Sequence, residues 1–157
     1  MNIKPFENVK DQIGYCGIWC GSCVVGNGIL RELTKRYEEI IKNYGLENWA
    51  PKGFNFNEFL EGIDLIRSIP LCQGCLEGGG RSDCEIRGCA VNKKLNDCSE
   101  CNQSATCENS EILNYMRSGA HDAGLFIKNE NVDRQNLMKK WIIELKGKWP
   151  YYILFLP

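Results

Sequence analysis

The apolar positions change their spacing along this chain, and the changes divide it into parts. Ile29, Leu30, Leu33, Tyr37, Ile40, Ile41 and Tyr44 recur at intervals of three to four, which predicts a helix with one buried face, and Gly45 follows as its cap. A second helix is expected from about Asn57 to Ser68, with Phe59, Leu60, Ile63 and Ile66 on its buried side and Pro70 preventing its continuation. Ser110 suits the start of a short helix carrying Ile112, Leu113 and Met116. The stripe Leu137, Met138, Trp141, Ile142 and Leu145 predicts a stronger helix from about Val132 to Lys146, ended by Gly147. The closing WPYYILFLP is too short to cross a bilayer, which takes about 20 apolar residues. It is expected to lie on the helices as a strand or extended arm.

Between Cys72 and Cys107 no such pattern holds. Long apolar side chains are scarce, Gly, Ser, Asn and charged residues are common, and Gly78, Gly79 and Gly80 in a row argue against a regular element. A segment of this kind buries too little apolar surface to offset its conformational entropy. Its cysteines supply another source of order. The chain has ten, in two blocks: Cys16, Cys20 and Cys23 in CGIWCGSC, then Cys72, Cys75, Cys84, Cys89, Cys98, Cys101 and Cys107. Cys20/Cys23, Cys72/Cys75 and Cys98/Cys101 each have the C-x2-C spacing, in which a tight turn aims two sulfurs at one metal ion. Gly74 fits such a turn because glycine accepts positive φ. A thiolate-bound metal contributes folding free energy directly.

Closed structural zinc sites take four ligands, so ten cysteines suit one or two zinc ions with thiols to spare. Sequential sharing would put Cys72, Cys75, Cys84 and Cys89 in one site, and Cys98, Cys101 and Cys107 with a first-block thiolate in the other. A crossed arrangement, Cys72/Cys75 with Cys98/Cys101, satisfies the spacing as well. Each filled four-thiolate site adds a formal −2, taking the net charge from −1 to about −5 for two. Arg81, Arg87, Lys93 and Lys94 lie among these cysteines and could offset it. Trp19 is placed to shield a metal from water.

Other chemistry is weighed against this reading. An even cysteine count permits a disulfide framework, but that suits short secreted chains. The start, MNIKPFENVKDQ, has no apolar core of a signal peptide, so a cytoplasmic location is expected, where disulfides are rare. The C-x3-C-x2-C spacing of Cys16, Cys20 and Cys23 is that of the [4Fe–4S] cluster in radical S-adenosylmethionine enzymes. Ser22 stands where those enzymes usually carry an aromatic residue, and the chain is too short for their barrel. A structural or redox [4Fe–4S] cluster on the same thiolates remains the alternative cofactor.

The order CGIWCGSC, CQGC, CEIRGCA and C-x2-C-x5-C resembles a cysteine-rich family of bacteria and archaea known only as a domain of unknown function. Its members carry CGxxCxxCP, CxGC, CxIRxCA and CxxC-x5-C. The resemblance runs from about Tyr15 to Cys107, and CEIRGCA, Cys84 to Ala90, is its most specific part. Val24 replaces a frequent proline, and Arg81 stands near where some members have a further cysteine. The resemblance implies metal binding by these cysteines and no particular activity.

Little else stands out. His121, the only histidine, sits near glycines and is expected in an exposed loop. Glu38/Glu39, Glu58/Glu61 and Asp64 sit at helix-surface spacings, as solvated residues do. A net charge of −1 gives no field favouring nucleic acid or a membrane, and the four cations of the second block lack interleaved aromatics. The glycine run lacks the Lys-Ser/Thr of a phosphate loop. The whole describes one mainly α domain over residues 1–157. It consists of a helical insert at 28–68, an irregular cysteine-rich metal-binding lobe, and a C-terminal helix and tail over 110–157. The expected role is a metal-stabilised binding or adaptor module for a protein partner, not an enzyme, with an iron–sulfur redox protein or accessory as the alternative.

Overall fold

Residues 4–149 and 151–155 are described by a computed structural model, Tyr151 and Tyr152 in backbone alone. The helices are α1 (Ile29–Asn43), α2 (Phe56–Ser68), α3 (Glu85–Asn92), α4 (Ser110–Asp122), α5 (Arg134–Lys148) and the short α6 (Tyr151–Leu154). Among the described residues β-structure is confined to two isolated bridges, Ile13 with Trp19 and Ile18 with Ile127. The chain is mainly helical, as the periodicity predicts.

Local chemistry explains where the insert begins and turns. Asn27 is buried; its Oδ1 accepts from the Ile29 backbone N–H at 3.0 Å and its Nδ2 donates to the Gly21 carbonyl at 2.9 Å. One side chain thus opens α1 and ties it to the first cysteine block. Gly45 ends the helix region at φ +60°, a conformation that favours glycine. The Asn55 side chain caps α2 by accepting from the Glu58 N–H. On α1 Ile29 and Ile41 are buried while Tyr37, Ile40 and the C-cap Tyr44 are exposed, and on α2 Ile63 is buried while Ile66 is exposed, so both buried stripes are narrower than expected.

Glu38 is not solvated. It is buried on α1 and accepts from Lys42 Nζ at 2.6 Å and from Arg67 Nη1 of α2 at 2.8 Å. Glu38→Ala removes both charge-assisted bonds. It is expected to cost about 1–2 kcal/mol, the lower end reflecting the part-exposed cations. For a chain of this size thermal melting should fall by roughly 2–8 °C. A variant melting with the wild type would show that this ion pair does not hold the insert together.

Helix α3 forms inside the second cysteine block, where the glycine run argues against regular structure. The run itself stays in a loop, and the helix starts beyond it at Glu85. Helix α4 is longer than expected and takes in His121, whose side chain is 84% exposed in its last turn rather than in a loop. Asn109 rather than Ser110 stands at its N-cap, with no side-chain capping bond. Asp133 caps α5 through the Asn136 N–H, and the helix passes through Gly147 to Lys148. The tail forms a helical turn rather than an extended arm, and its Ile153 and Leu154 enter the core. Pro150, Leu156 and Pro157 of that segment lie outside the described residues.

Trp19 lies in the middle of this core. It is fully buried, stacks on Trp141 of α5 at 5.7 Å between ring centroids, and meets Phe6 edge-on at 5.9 Å and Phe126 at 5.8 Å. Its indole N–H donates to the Lys10 carbonyl at 2.6 Å, which satisfies its one polar atom. Trp19 therefore anchors the first cysteine block to the hydrophobic core, with Ile13, Ile29, Leu145, Ile153 and Leu154 around it.

Candidate metal centres

The first group of thiols gathers around Gly14. A Cβ there would lie 2.9 Å from Cys75 Sγ and 3.8 Å from Cys16 Sγ, so both sulfurs face this backbone and any side chain here would push Cys75 away. The Tyr15 N–H points at Cys75 Sγ at 3.4 Å. Cys20 opens the 3-10 turn Cys20–Ser22, and its N–H donates to the Gln12 carbonyl at 2.8 Å. The Cys72 segment is drawn in by Asn8, whose Nδ2 donates to the Cys72 carbonyl at 2.7 Å and to Gly26 at 3.0 Å. The C-x2-C turn then closes through Gly74, at φ +79°, whose carbonyl accepts from the Gly79 N–H at 2.8 Å. Arg87 of α3 donates to the carbonyls of Gly79 and Arg81 and holds this loop on the helix.

The same sulfurs act on one another's acidity. Burial, then Cys75, with Cys16 and Cys72 behind it, pushes the Cys20 thiol up to about 12, although the Cys75 N–H opposes them. Burial chiefly raises Cys16, with Cys75 and Cys84 adding to it. Cys16, Cys20, Cys72 and Cys75 thus form one group, and Cys84, at the N-cap of α3, stands beside Cys16. Buried thiols that neighbour one another resist ionising unless a cation shares the charge.

The second group lines a cavity of about 190 Å³ reached from α3 and α4. Cys89 comes from α3, Cys98 opens the 3-10 turn Cys98–Glu100, Cys101 follows that turn, and Cys107 precedes α4. Ile86, Ala90 and Leu113 form apolar wall, and Lys93 and Arg117 bring the cations. Lys93 Nζ stands 4.0 Å from Cys101 Sγ. Burial pushes Cys98 up to about 11; Arg117 opposes this, and Cys16, Cys107 and Cys89 add to it. Cys98 therefore senses the first group as well as its own.

A buried ion pair sets the position of Cys98. Asp97 and Lys128 are both fully buried, with Lys128 Nζ 2.9 Å from Asp97 Oδ2 and 2.6 Å from Ser99 Oγ. Arg134 of α5 stands 3.7 Å from the same carboxylate. The next residue, Cys98, donates its N–H to the Tyr15 carbonyl at 2.8 Å, joining the two cysteine blocks. Lys128 in turn donates its own N–H to Gly17, where φ is +87° and a Cβ would fall 2.5 Å from the Lys128 carbonyl oxygen. Glycine is required at that crossing.

This grouping is neither of the two arrangements that spacing suggests. Cys72 and Cys75 turn back to Cys16 and Cys20, and Cys89 joins Cys98, Cys101 and Cys107. Cys23 follows the first 3-10 turn, half-buried, its N–H donating to the Cys20 carbonyl at 3.0 Å. All ten cysteines are free thiols. Among the described residues no three His, Cys, Asp or Glu side chains already stand as a metal-holding group. The donor chemistry still fits, because four thiols in each group are the ligand set of a closed zinc site and packing alone sets the rotamers of uncharged thiols. Of the second block's cations, Lys93 stands near Cys101, Arg87 binds the Gly79 and Arg81 carbonyls instead, and Arg81 pairs with Asp83 at 3.5 Å. Arg117, Asp97 and Lys128 escape sequence reasoning, since each acts on residues far away in the chain.

No curated protein and no solved structure matches the chain. The arrangement described here spans the segment that the family model covers: a protein of unknown function, DUF3795, is matched over residues 12–111, and the chain belongs to that family.

Proposed function

We propose that this protein is a zinc-binding module with two structural centres, one held by Cys16, Cys20, Cys72 and Cys75 and the other by Cys89, Cys98, Cys101 and Cys107. The observation that carries this reading is that Cys89, Cys98, Cys101 and Cys107 line one cavity while Cys16, Cys72 and Cys75 neighbour Cys20. Metal in these groups supplies the folding energy that the polar segment 72–107 lacks. Free thiols throughout suit a reducing cytoplasm. A binding or adaptor role finds support in the helical insert, which presents Tyr37, Tyr44 and Trp49 with more than half of their surface exposed.

Elemental analysis of protein purified without added metal and without oxygen tests the reading, with a count of reactive thiols alongside. About two zinc per chain, and few thiols reactive until chelator is added, is the expected result. Iron with acid-labile sulfide would replace zinc by an iron–sulfur cluster and turn the question to electron transfer. Metal-free protein with every thiol reactive would end the metal reading altogether.

A further inference from the structure

Arg117 occupies a place that neither group of thiols explains alone. It projects from α4, and its Nε donates to the Cys16 carbonyl at 2.9 Å, the backbone of a first-group cysteine. Arg117 also lines the cavity of the second group. Its Nη2 is buried without a hydrogen-bond partner, close to Gly17, where a Cβ would come within 3.1 Å of it. A buried guanidinium nitrogen left unpaired is costly, and the unpaired atom belongs to an arginine that bonds the backbone of one group and lines the cavity of the other. Lys93 serves the outer side of the second group, exposed and bonded to Gln103 Oε1 at 2.8 Å.

Filling both groups with a divalent ion on four thiolates would place two formal −2 charges next to each other, with Cys16 and Cys98 at their junction. Like charges in a partly buried site repel each other unless a cation lies between them. We propose that Arg117 is the positioning residue that lets the two centres be occupied together, its charge standing between the Cys16 backbone it binds and the second group's cavity it lines. This rests on the two-centre reading above. Arginine suits the task better than lysine because one fork can hold a carbonyl and still present a further N–H.

Titration of the metal-free full chain with zinc against a chromophoric chelator tests it, comparing wild type with Arg117→Gln and Arg117→Lys. The equivalent missing in Cys101→Ser marks the second centre. In Arg117→Gln that equivalent is expected to bind about 10–100-fold more weakly, the usual loss when a partner of metal ligands is removed, with the first left near wild type. Arg117→Lys, which keeps the charge, should recover a good part of the loss. Second-centre binding unchanged in Arg117→Gln would overturn the proposal. So would equal weakening of both centres, or no recovery with lysine, since either makes Arg117 a residue of the fold only. Wild type that stops short of two equivalents overturns the two-centre reading itself and the role of Arg117 with it.

Discussion

Cys89→Ser combined with Cys98→Ser is expected to release one metal ion per chain, whereas Cys72→Ser combined with Cys98→Ser releases two. The first pair lies in one thiol group and the second pair in two. Sequential sharing of Cys72, Cys75, Cys84 and Cys89 predicts two ions lost from the first pair. A crossed site predicts one from the second. Metal content of the double variants thus separates all three arrangements. Single replacements carry a large energetic effect as well. Structural zinc binds with about 10–16 kcal/mol in small metal-folded peptides, comparable to the whole stability of an ordinary domain at about 5–15 kcal/mol. Cys72→Ser or Cys98→Ser alone should therefore cost more than about 4 kcal/mol and unfold the part of segment 72–107 around its own centre. Thermal melting should drop by more than roughly 8 °C at about 2–4 °C per kcal/mol for this chain length. A single variant with full metal content and wild-type melting would refute the assignment of that cysteine.

Lys128→Met is expected to destabilise the fold by about 3–5 kcal/mol, because it leaves the fully buried Asp97 carboxylate without its main counter-ion. Ser99 still donates to it, but Arg134 at 3.7 Å is too distant and too exposed to replace an ammonium at 2.9 Å. The double variant Asp97→Leu/Lys128→Met should recover much of the loss, since replacing both members of a buried pair by apolar residues is often nearly neutral. Melting curves of the three proteins read this directly, and a single variant as stable as the wild type would show the pair to be ornamental. The pair also has a pH signature. Burial pushes the Asp97 carboxyl up, but hydrogen bonds from Ser99 and Lys128 outweigh it and hold the group below its ordinary value. A carboxyl depressed in the folded state stabilises fully above its unfolded pKa of about 3.9 and loses that contribution as pH falls through the lower folded value. Asp97→Asn should accordingly narrow its stability gap from wild type only in that acid range.

What the sequence determines by itself is local. The positions of α1, α2 and α5 follow from apolar spacing because a helix with one buried face must repeat every three to four residues whatever it packs on. The left-handed turns at Gly45 and Gly74 likewise follow from glycine alone. The cysteine spacings and their family motifs mark the segment where metal chemistry is to be sought, and the family match covers that segment. Tertiary structure decides the rest. Trp19 sits between two cysteines in the chain, yet its ring goes to the core, because Phe6, Phe126 and Trp141 arrive there from both ends. Glu38 reads as a surface carboxylate until α2 brings Arg67 against it. Four C-x2-C sulfurs can be joined in several ways at equal local cost. The choice falls to contacts that span much of the chain, Asn8 on Cys72, Tyr15 on Cys98 and Arg117 on Cys16. Spacing constrains the turn that aims a pair of thiols, and only the path of the backbone through space can say which other pair it meets.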